Sequence, residues 1–133
     1  MREGVWTMAE PGALFAGLDT VLLRVRDVDA AEVWYRERLG LTRTFADAGE
    51  RLVVLDVGGP TSLTLWELKA DELPPGVGAA RPFPIFRVAD ARATRRLLLE
   101  RGVPVAEVVA GGGVTTFQFF DPDGNVLEAC QID

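Results

Sequence analysis

The sequence predicts an α+β fold built from two tandem βαβββ modules, each a cup-shaped half-barrel with its helix on the convex face. One observation is a repeated pattern: residues 23–27 and 86–90 each end a strand-like run and begin a helix-like run. A second observation is that each half closes on an apolar strand with one glutamate, Glu67 or Glu128. Repeats at this spacing indicate one structural unit used twice, so we expect equivalent positions to converge on a common cavity.

The first module is predicted to contain one strand, one helix and three further strands. Residues 18–25 are rich in branched apolar side chains, which favours a strand. Asp27 or Asp29 can cap the following helix, and Gly40 ends it. Glycine-containing turns separate the remaining strands, which are predicted at residues 41–48, 51–57 and 61–68.

The second module repeats this order of elements. A strand is predicted at residues 83–88 and a helix at residues 91–101. The proline and the glycine in residues 121–125 indicate a turn just before the last strand. The three strands after the helix are predicted at residues 103–110, 114–120 and 126–132.

A chain of 133 residues is long enough for one domain with a substantial core. A segment with two consecutive prolines and several glycines separates the two halves of the repeat, as expected for a linker. We therefore expect one domain over residues 17–133. Its predicted parts are an N-terminal tail at residues 1–16, module one at 17–68, a linker at 69–82 and module two at 83–132.

The charge and cysteine content restrict the partners and the compartment. The net charge is −6 without a Lys/Arg cluster, so we expect no nucleic-acid partner. No apolar run approaches the roughly 20 residues that span a bilayer, so we expect no membrane partner. The N-terminus lacks the apolar core of a signal peptide, and the single Cys130 cannot form an internal disulfide. These features predict a cytoplasmic protein.

The chain resembles the vicinal oxygen chelate superfamily, which contains glyoxalases, bleomycin-resistance proteins and extradiol dioxygenases. The resemblance covers about residues 18–132, and its most specific part is the run at residues 120–128. It implies paired βαβββ modules and a homodimer. The other motifs that carry it are Arg26-Asp27, Trp34-Tyr35, Leu39-Gly40-Leu41 and residues 86–90.

The resemblance also implies where a metal would bind. Metal-dependent members typically take one ligand from the first strand of each module and one from the last. The resemblance assigns Thr20 and Phe83 to the first-strand positions, and Glu67 and Glu128 to the last-strand positions. The chain contains no histidine, and two carboxylates are fewer ligands than zinc or iron sites normally need. We therefore expect no metal cofactor; if a divalent metal binds, Glu67 and Glu128 are its ligands.

These features favour a non-enzymatic protein that sequesters a bulky, partly apolar small molecule or antibiotic without metal. The family's drug-sequestering resistance proteins have this role, and an aromatic or amphiphilic ligand suits an apolar cavity. Side-chain alternation and aromatic content predict the residues that contact the ligand. They are Thr20, Leu22, Arg24, Leu65, Trp66, Glu67, Phe83, Ile85, Arg87, Phe117, Phe119 and Glu128.

Two alternatives stay open for the two glutamates. In an enzyme of isomerase, lyase or dioxygenase type, Glu67 or Glu128 acts as an acid-base group with a raised pKa, or both bind a divalent metal. In the second alternative, the carboxylates form structural pairs with Arg24 and Arg87.

Overall fold

The computed structural model describes residues 14–74 and 80–133, so most of the predicted tail and part of the predicted linker lie outside it. The chain divides into two compact units between Leu73 and Pro74. The described part of each unit contains one four-stranded sheet and one helix in the order βαβββ, which confirms the predicted α+β architecture of two modules. Within the described ranges, no helix is long and apolar enough to cross a membrane.

Module one has strand order β1-β4-β3-β2. Strand β1 is parallel to β4, whereas β3 is antiparallel to both of its neighbours, β2 and β4. A parallel pair needs a long crossover, which the helix and the two intervening strands provide. The elements are β1 (Thr20–Val25), α1 (Val28–Leu39), β2 (Thr42–Asp47), β3 (Leu52–Asp56) and β4 (Ser62–Glu67).

Module two has the corresponding strand order β5-β8-β7-β6, with β5 parallel to β8. The identical topology of the two sheets confirms the internal repeat. Strands β7 and β8 have the bounds that the sequence predicts. The elements are β5 (Ile85–Arg87), α2 (Ala91–Glu100), β6 (Val109–Gly111), β7 (Val114–Phe120) and β8 (Val126–Ile132).

Each helix begins at the aspartate of the repeated pattern. Asp27 is the N-cap of α1 and accepts a hydrogen bond from the backbone N–H of Asp29 at 3.0 Å. Asp90 is the N-cap of α2 and accepts from Ala93 N–H at 3.0 Å. Gly40 ends α1 with φ of 73°, a left-handed conformation that favours glycine. These caps use side-chain oxygens for backbone donors that the helix itself leaves unpaired.

One face of each sheet packs against the helix of its own module. Glu67 on β4 accepts from Val28 N–H at 3.0 Å, and Gln131 on β8 accepts from Ala91 N–H at 2.8 Å. Val28 and Ala91 are the first residues of α1 and α2. Each helix therefore lies over the face of the sheet to which Glu67 or Gln131 points. We call this face the helix side and the opposite face the helix-free side. Buried apolar side chains on the helix sides are Leu23, Val25, Val53, Leu55, Leu63, Leu65, Phe117, Phe119, Leu127 and Ala129.

Strand β5 is shorter than predicted, because the sequence places its start at Phe83 and the structure places it at Ile85. Pro82 and Pro84 precede it, and proline has no N–H to donate to a neighbouring strand. Pro84 still accepts a hydrogen bond through its carbonyl from Glu128 N–H at 3.1 Å. The chain therefore follows β8 before β5 begins, without a full hydrogen-bonding ladder.

Strand β6 is also shorter than predicted and has 3 residues. The predicted strand began at Val103, but this part of the chain makes only one isolated bridge to β7, between Val105 and Phe119. The Nε of Arg95 on α2 donates to the Ala106 carbonyl at 2.8 Å, which ties the segment to the helix. Regular pairing with β7 resumes only at Val109.

Candidate ligand-binding site

The helix-free side of module one carries four of the residues predicted to contact a ligand. Thr20, Leu22 and Arg24 alternate along β1, and Arg24 pairs in register with Trp66 on β4. Leu22 pairs with Thr64 and is 45% exposed. Leucine and tryptophan with one guanidinium form a mixed apolar and polar surface of the kind that binds small molecules.

The hydroxyl groups at the start of this face bind each other and the backbone. Thr20 Oγ1 lies 2.7 Å from Thr64 Oγ1 and donates to the Ser62 carbonyl at 3.2 Å. Thr64 is buried. Because these hydrogen bonds satisfy neutral hydroxyls within the sheet, the two threonines are weak candidates for metal ligands.

Trp66 lies in a cluster of charged side chains. The Arg24 guanidinium is 4.2 Å from the Trp66 ring centroid, and Lys69 Nζ is 4.6 Å from it. Glu72 accepts from Arg24 Nη1 at 2.8 Å, and hydrogen bonds from Arg24 and from the Lys69 backbone N–H lower the pKa of Glu72 to about 2. Trp66 Nε1 donates to the Glu50 carbonyl at 3.0 Å. Hydrogen bonds therefore fix the indole edge, and cations lie over its ring.

The predicted placement of Glu67 and Leu65 beside Thr20 is wrong, because both residues point to the helix side. Leu65 is fully buried there. The Glu67 carboxylate accepts from Val28 N–H and from Arg51 Nη2 at 2.8 Å. Glu67 thus pairs with Arg51. The structural alternative predicted a pair with Arg24 instead.

The electrostatics of Glu67 also differ from the acid-base hypothesis. Hydrogen bonds from Arg51 and from the Val28 N–H lower the pKa of Glu67, whereas that hypothesis expected the pKa to be raised. Hydrogen bonds to Glu67 and to Asp29 raise the pKa of Arg51 above its usual value. Asp29 also pairs with Arg51, at 2.9 Å, so the guanidinium joins β4 to the start of α1. Glu67 therefore stabilises its own module.

Strand register shows which residues of the two modules correspond. Leu22 pairs with Thr64 in module one, and Ile85, at the corresponding position before its helix, pairs with Glu128 in module two. The counterpart of Glu128 is therefore Thr64 and not Glu67. The counterpart of Glu67 is Gln131, and both accept the first N–H of their own helix.

We predict that Glu67 makes the free energy of unfolding depend on pH at acid pH values. Because its pKa is lowered in the folded state, the unfolded chain binds the proton more readily. The stabilisation is complete above the ordinary pKa of 4.5 and is lost as the pH falls through the lower folded-state value. Glu67→Gln keeps an acceptor for the Val28 N–H but does not titrate.

The free energy of unfolding in urea, measured between pH 7 and pH 3, tests this expectation. Wild type should be more stable than Glu67→Gln near neutral pH, and the two curves should converge in acid. Glu72 titrates in both proteins, so the difference between the curves isolates Glu67. Parallel curves over the whole range would show that Glu67 makes no proton-linked contribution.

The helix-free side of module two carries three of the predicted residues. Ile85, which is 57% exposed, pairs with Glu128, and Glu128 pairs with Gln118 on β7. Arg87 is exposed and pairs with Cys130 in the next row. Among the residues that the structure describes, this face therefore has one carboxylate and one guanidinium on a largely apolar sheet.

The predicted placement of Phe117 and Phe119 on a ligand-facing surface is wrong. Both rings point to the helix side and are 1% and 4% exposed, respectively. Their centroids are 5.8 Å apart, and the Phe86 ring lies 6.2 Å from that of Phe119. These three rings form part of the core beneath α2. Phe83 is half-buried just before β5, and its predicted ligand contact stays a prediction.

The family's metal-ligand positions can now be assigned by register as Thr20, Thr64, Phe83 and Glu128. Module one offers two neutral hydroxyls at these positions, and module two offers a phenyl ring and one carboxylate, so neither pair fits zinc, iron or nickel. Across residues 14–74 and 80–133, no three His, Cys, Asp or Glu side chains are grouped as ion ligands. The sequence predicted two carboxylates at these positions, Glu67 and Glu128. The register replaces Glu67 with Thr64, so one carboxylate is left.

Gln118 is a polar residue of this face that the sequence reasoning missed. Its Nε2 donates to Glu128 Oε1 at 3.3 Å. A glutamine within a strand has no local motif, and only its alternation with the aromatic residues Phe117 and Phe119 places it opposite the core.

Comparisons with solved structures show similar folds. TnmS3, an antibiotic binding protein from Streptomyces sp. CB03234, has a TM-score of 0.75 and 27% identity, covering 91% of this chain and 99% of TnmS3. Lactoylglutathione lyase from Agrobacterium tumefaciens has a TM-score of 0.69 and 23% identity, covering 90% of this chain and 96% of that one. For FosX, a genomically encoded fosfomycin resistance protein from Listeria monocytogenes, the values are 0.71 and 11%, with 90% and 96% covered.

No curated protein sequence matches the chain significantly. The family model described as the Glyoxalase/Bleomycin resistance protein/Dioxygenase superfamily matches residues 17–129, which include both βαβββ modules except the end of β8. Sequence and fold thus agree, and the chain belongs to the glyoxalase/bleomycin resistance protein/dioxygenase superfamily.

Proposed function

We propose that this protein binds and sequesters a bulky, partly apolar small molecule or antibiotic on the helix-free sides of its sheets, without a metal. The observation that carries this proposal is the donor set at the family's ligand positions. In module one Thr20 and Thr64 supply no charged ligand; in module two Phe83 supplies none and Glu128 supplies one. The fold shared with TnmS3, an antibiotic binding protein, supports a binding role for such a chain.

The surface chemistry of the helix-free sides supports the same proposal. Leu22 and Ile85 are both large, apolar and about half exposed, at 45% and 57%. Burying apolar area against a ligand is favourable by roughly 25 cal/mol per Å². Arg24 in module one, and Arg87 and Glu128 in module two, supply polar contacts that can orient a ligand on the helix-free side of their own sheet.

An acid-base enzyme is less well supported by the local chemistry. A general acid near neutral pH needs a carboxyl group whose pKa is raised, usually by burial. The pKa of Glu67 is lowered instead, and its oxygens are held by Arg51 and the N-terminus of α1. Glu67 therefore serves the fold in this proposal and takes no part in chemistry.

The proposal includes a homodimer that acts as a cytoplasmic resistance protein. The homodimer follows from the family resemblance. The cytoplasmic site is consistent with a single cysteine, Cys130, which has no partner for an internal disulfide. An aromatic or amphiphilic ligand fits these apolar faces best.

Titration with a panel of aromatic antibiotics, followed by tryptophan emission, tests this function. We expect a saturable change for at least one compound, because Trp66 lies on the helix-free side of module one. The Trp66→Phe variant should lose most of the change. Trp34→Phe is the matched control, since Trp34 packs edge-on against Tyr35 within α1, at 4.9 Å between centroids.

The controls define how the proposal fails. A saturable change that persists in Trp66→Phe and disappears in Trp34→Phe would move the ligand to the helix side. The absence of any saturable change, checked by calorimetry across the whole panel, would contradict a binding function on these faces.

A further inference from the structure

Building on the proposed function, we propose that the helix-free side of module two selects ligands that carry a protonated amine. Glu128 is the residue that contacts the amine, and Gln118 is a positioning residue that orients the carboxylate. The Glu128 carboxylate occupies one of the family's metal-ligand positions, so in this chain it would bind a cationic ligand group in place of an ion.

The two side chains lie in one row across three strands. Ile85 on β5, Glu128 on β8 and Gln118 on β7 are register partners. Gln118 Nε2 donates to Glu128 Oε1 at 3.3 Å, and both residues are half-buried. This hydrogen bond engages one oxygen of the carboxylate, Oε1.

The surroundings of Glu128 on this side are apolar. In the described residues, Glu128 is the one acid of this face and Arg87 the one base, and Arg87 is the register partner of Cys130 rather than of Glu128. Ile85 and Ile132 are more than half exposed on the same face. The other apolar side chains here are Val109, Val114, Phe120 and Val126.

A ligand that covers this face must compensate Glu128 for the water that it displaces. An ionised carboxylate accepts up to about four hydrogen bonds, and among the described residues the one side-chain bond to Glu128, from Gln118, is long. Removing water from a charge without replacing its hydrogen bonds is strongly unfavourable. An ammonium group on the ligand supplies both the donors and the opposite charge, whereas an alcohol supplies only a donor and an anion adds repulsion.

Three probes with the same apolar body separate these contributions: 1-naphthylmethylamine, 1-naphthylmethanol and 1-naphthylacetate, each titrated by calorimetry at pH 7. We expect the amine to bind about tenfold or more tighter than the other two, as for a charge-assisted hydrogen bond. In Glu128→Gln the amine and the alcohol should differ by less than about threefold. Glu107→Gln is the matched control, because the Glu107 side chain is 95% exposed and lies outside this face.

The role of Gln118 has its own readout. Gln118→Met keeps the length of the side chain and removes the donor. The ratio of amine affinity to alcohol affinity should fall in this variant, while its thermal unfolding stays close to that of wild type. An unchanged ratio would show that Gln118 does not orient Glu128 for the ligand.

The outcomes distinguish amine selectivity from the proposed small-molecule binding on which it rests. Equal binding of the three probes, or an amine preference that survives in Glu128→Gln, would overturn the amine selectivity and leave small-molecule binding intact. If none of the probes binds at millimolar concentration and the antibiotic panel also gives no response, both the selectivity and the binding function are wrong.

Discussion

Replacing Phe117 with alanine is expected to lower the free energy of unfolding by about 3–5 kcal/mol, the range for a phenyl ring removed from a core. Phe117 is 1% exposed and packs against Phe119, with 5.8 Å between ring centroids. Its register partner Ala129 is too small to fill the space that the ring would leave. Denaturant unfolding followed by circular dichroism measures the loss.

The matched control is Phe45→Ala, because Phe45 is 52% exposed on β2. Its loss should be about 1 kcal/mol or less, since exposed substitutions are usually mild. Ligand affinity of folded Phe117→Ala should equal that of wild type. A variant of wild-type stability with weakened ligand binding would restore Phe117 as a ligand contact and contradict its assignment to the core.

Asp121→Ala is the second substitution with a large expected effect, a loss of about 2–4 kcal/mol. Asp121 is 5% exposed, and Oδ1 accepts from the N–H groups of Asp123 at 2.9 Å and Asn125 at 2.8 Å. Oδ2 accepts from Asn125 Nδ2 at 2.9 Å. The substitution removes the acceptor that these buried donors share in the turn before β8, which costs more than losing an exposed hydrogen bond.

Asp56→Ala provides the control for Asp121→Ala. Asp56 accepts from Gly58 N–H at 2.7 Å in a similar local turn, but it is exposed. Water can replace that acceptor, so the expected loss is about 1 kcal/mol or less. Equal losses at both positions in denaturant unfolding would show that burial of the Asp121 turn makes no difference to its stability.

The sequence predicted those features that local chemistry determines. Asp27 and Asp90 cap the helices because their side chains reach backbone N–H groups a few residues away. The turn at residues 121–125 depends on contacts within itself, and it places β7 and β8 correctly. The repeat of the whole module was also visible, since both copies carry the same local signals.

The face to which a strand residue points depended on distant pairing and was harder to predict. Glu67 was assigned to the same side of the sheet as Thr20. In the structure Thr20 pairs with Ser62, so the two point to the same side. Because side chains alternate along β4, Glu67 points to the opposite side, which the helix covers. A change of one residue in register reverses every side chain of a strand. Matching Glu67 to Glu128 by motif therefore failed, although both are last-strand glutamates.

The aromatic residues of β7 illustrate a second limit. Phe117 and Phe119 alternate with polar residues, and this pattern identifies one apolar face without showing whether a helix or a ligand covers it. The helix covers it here, with Leu98 of α2 buried on the same side. Gln118 points to the opposite face, beside Glu128. Selecting ligand contacts by aromatic content did not identify it.

The most direct test of metal-free binding is calorimetric titration of an antibiotic that binds, using protein dialysed against a chelator. Because Thr20 and Thr64 in module one and Phe83 and Glu128 in module two include only one charged donor, we expect the same dissociation constant before and after chelation, and after addition of Zn²⁺ or Mn²⁺. Binding that disappears on chelation and returns with stoichiometric metal would contradict the account and favour a metal-dependent enzyme.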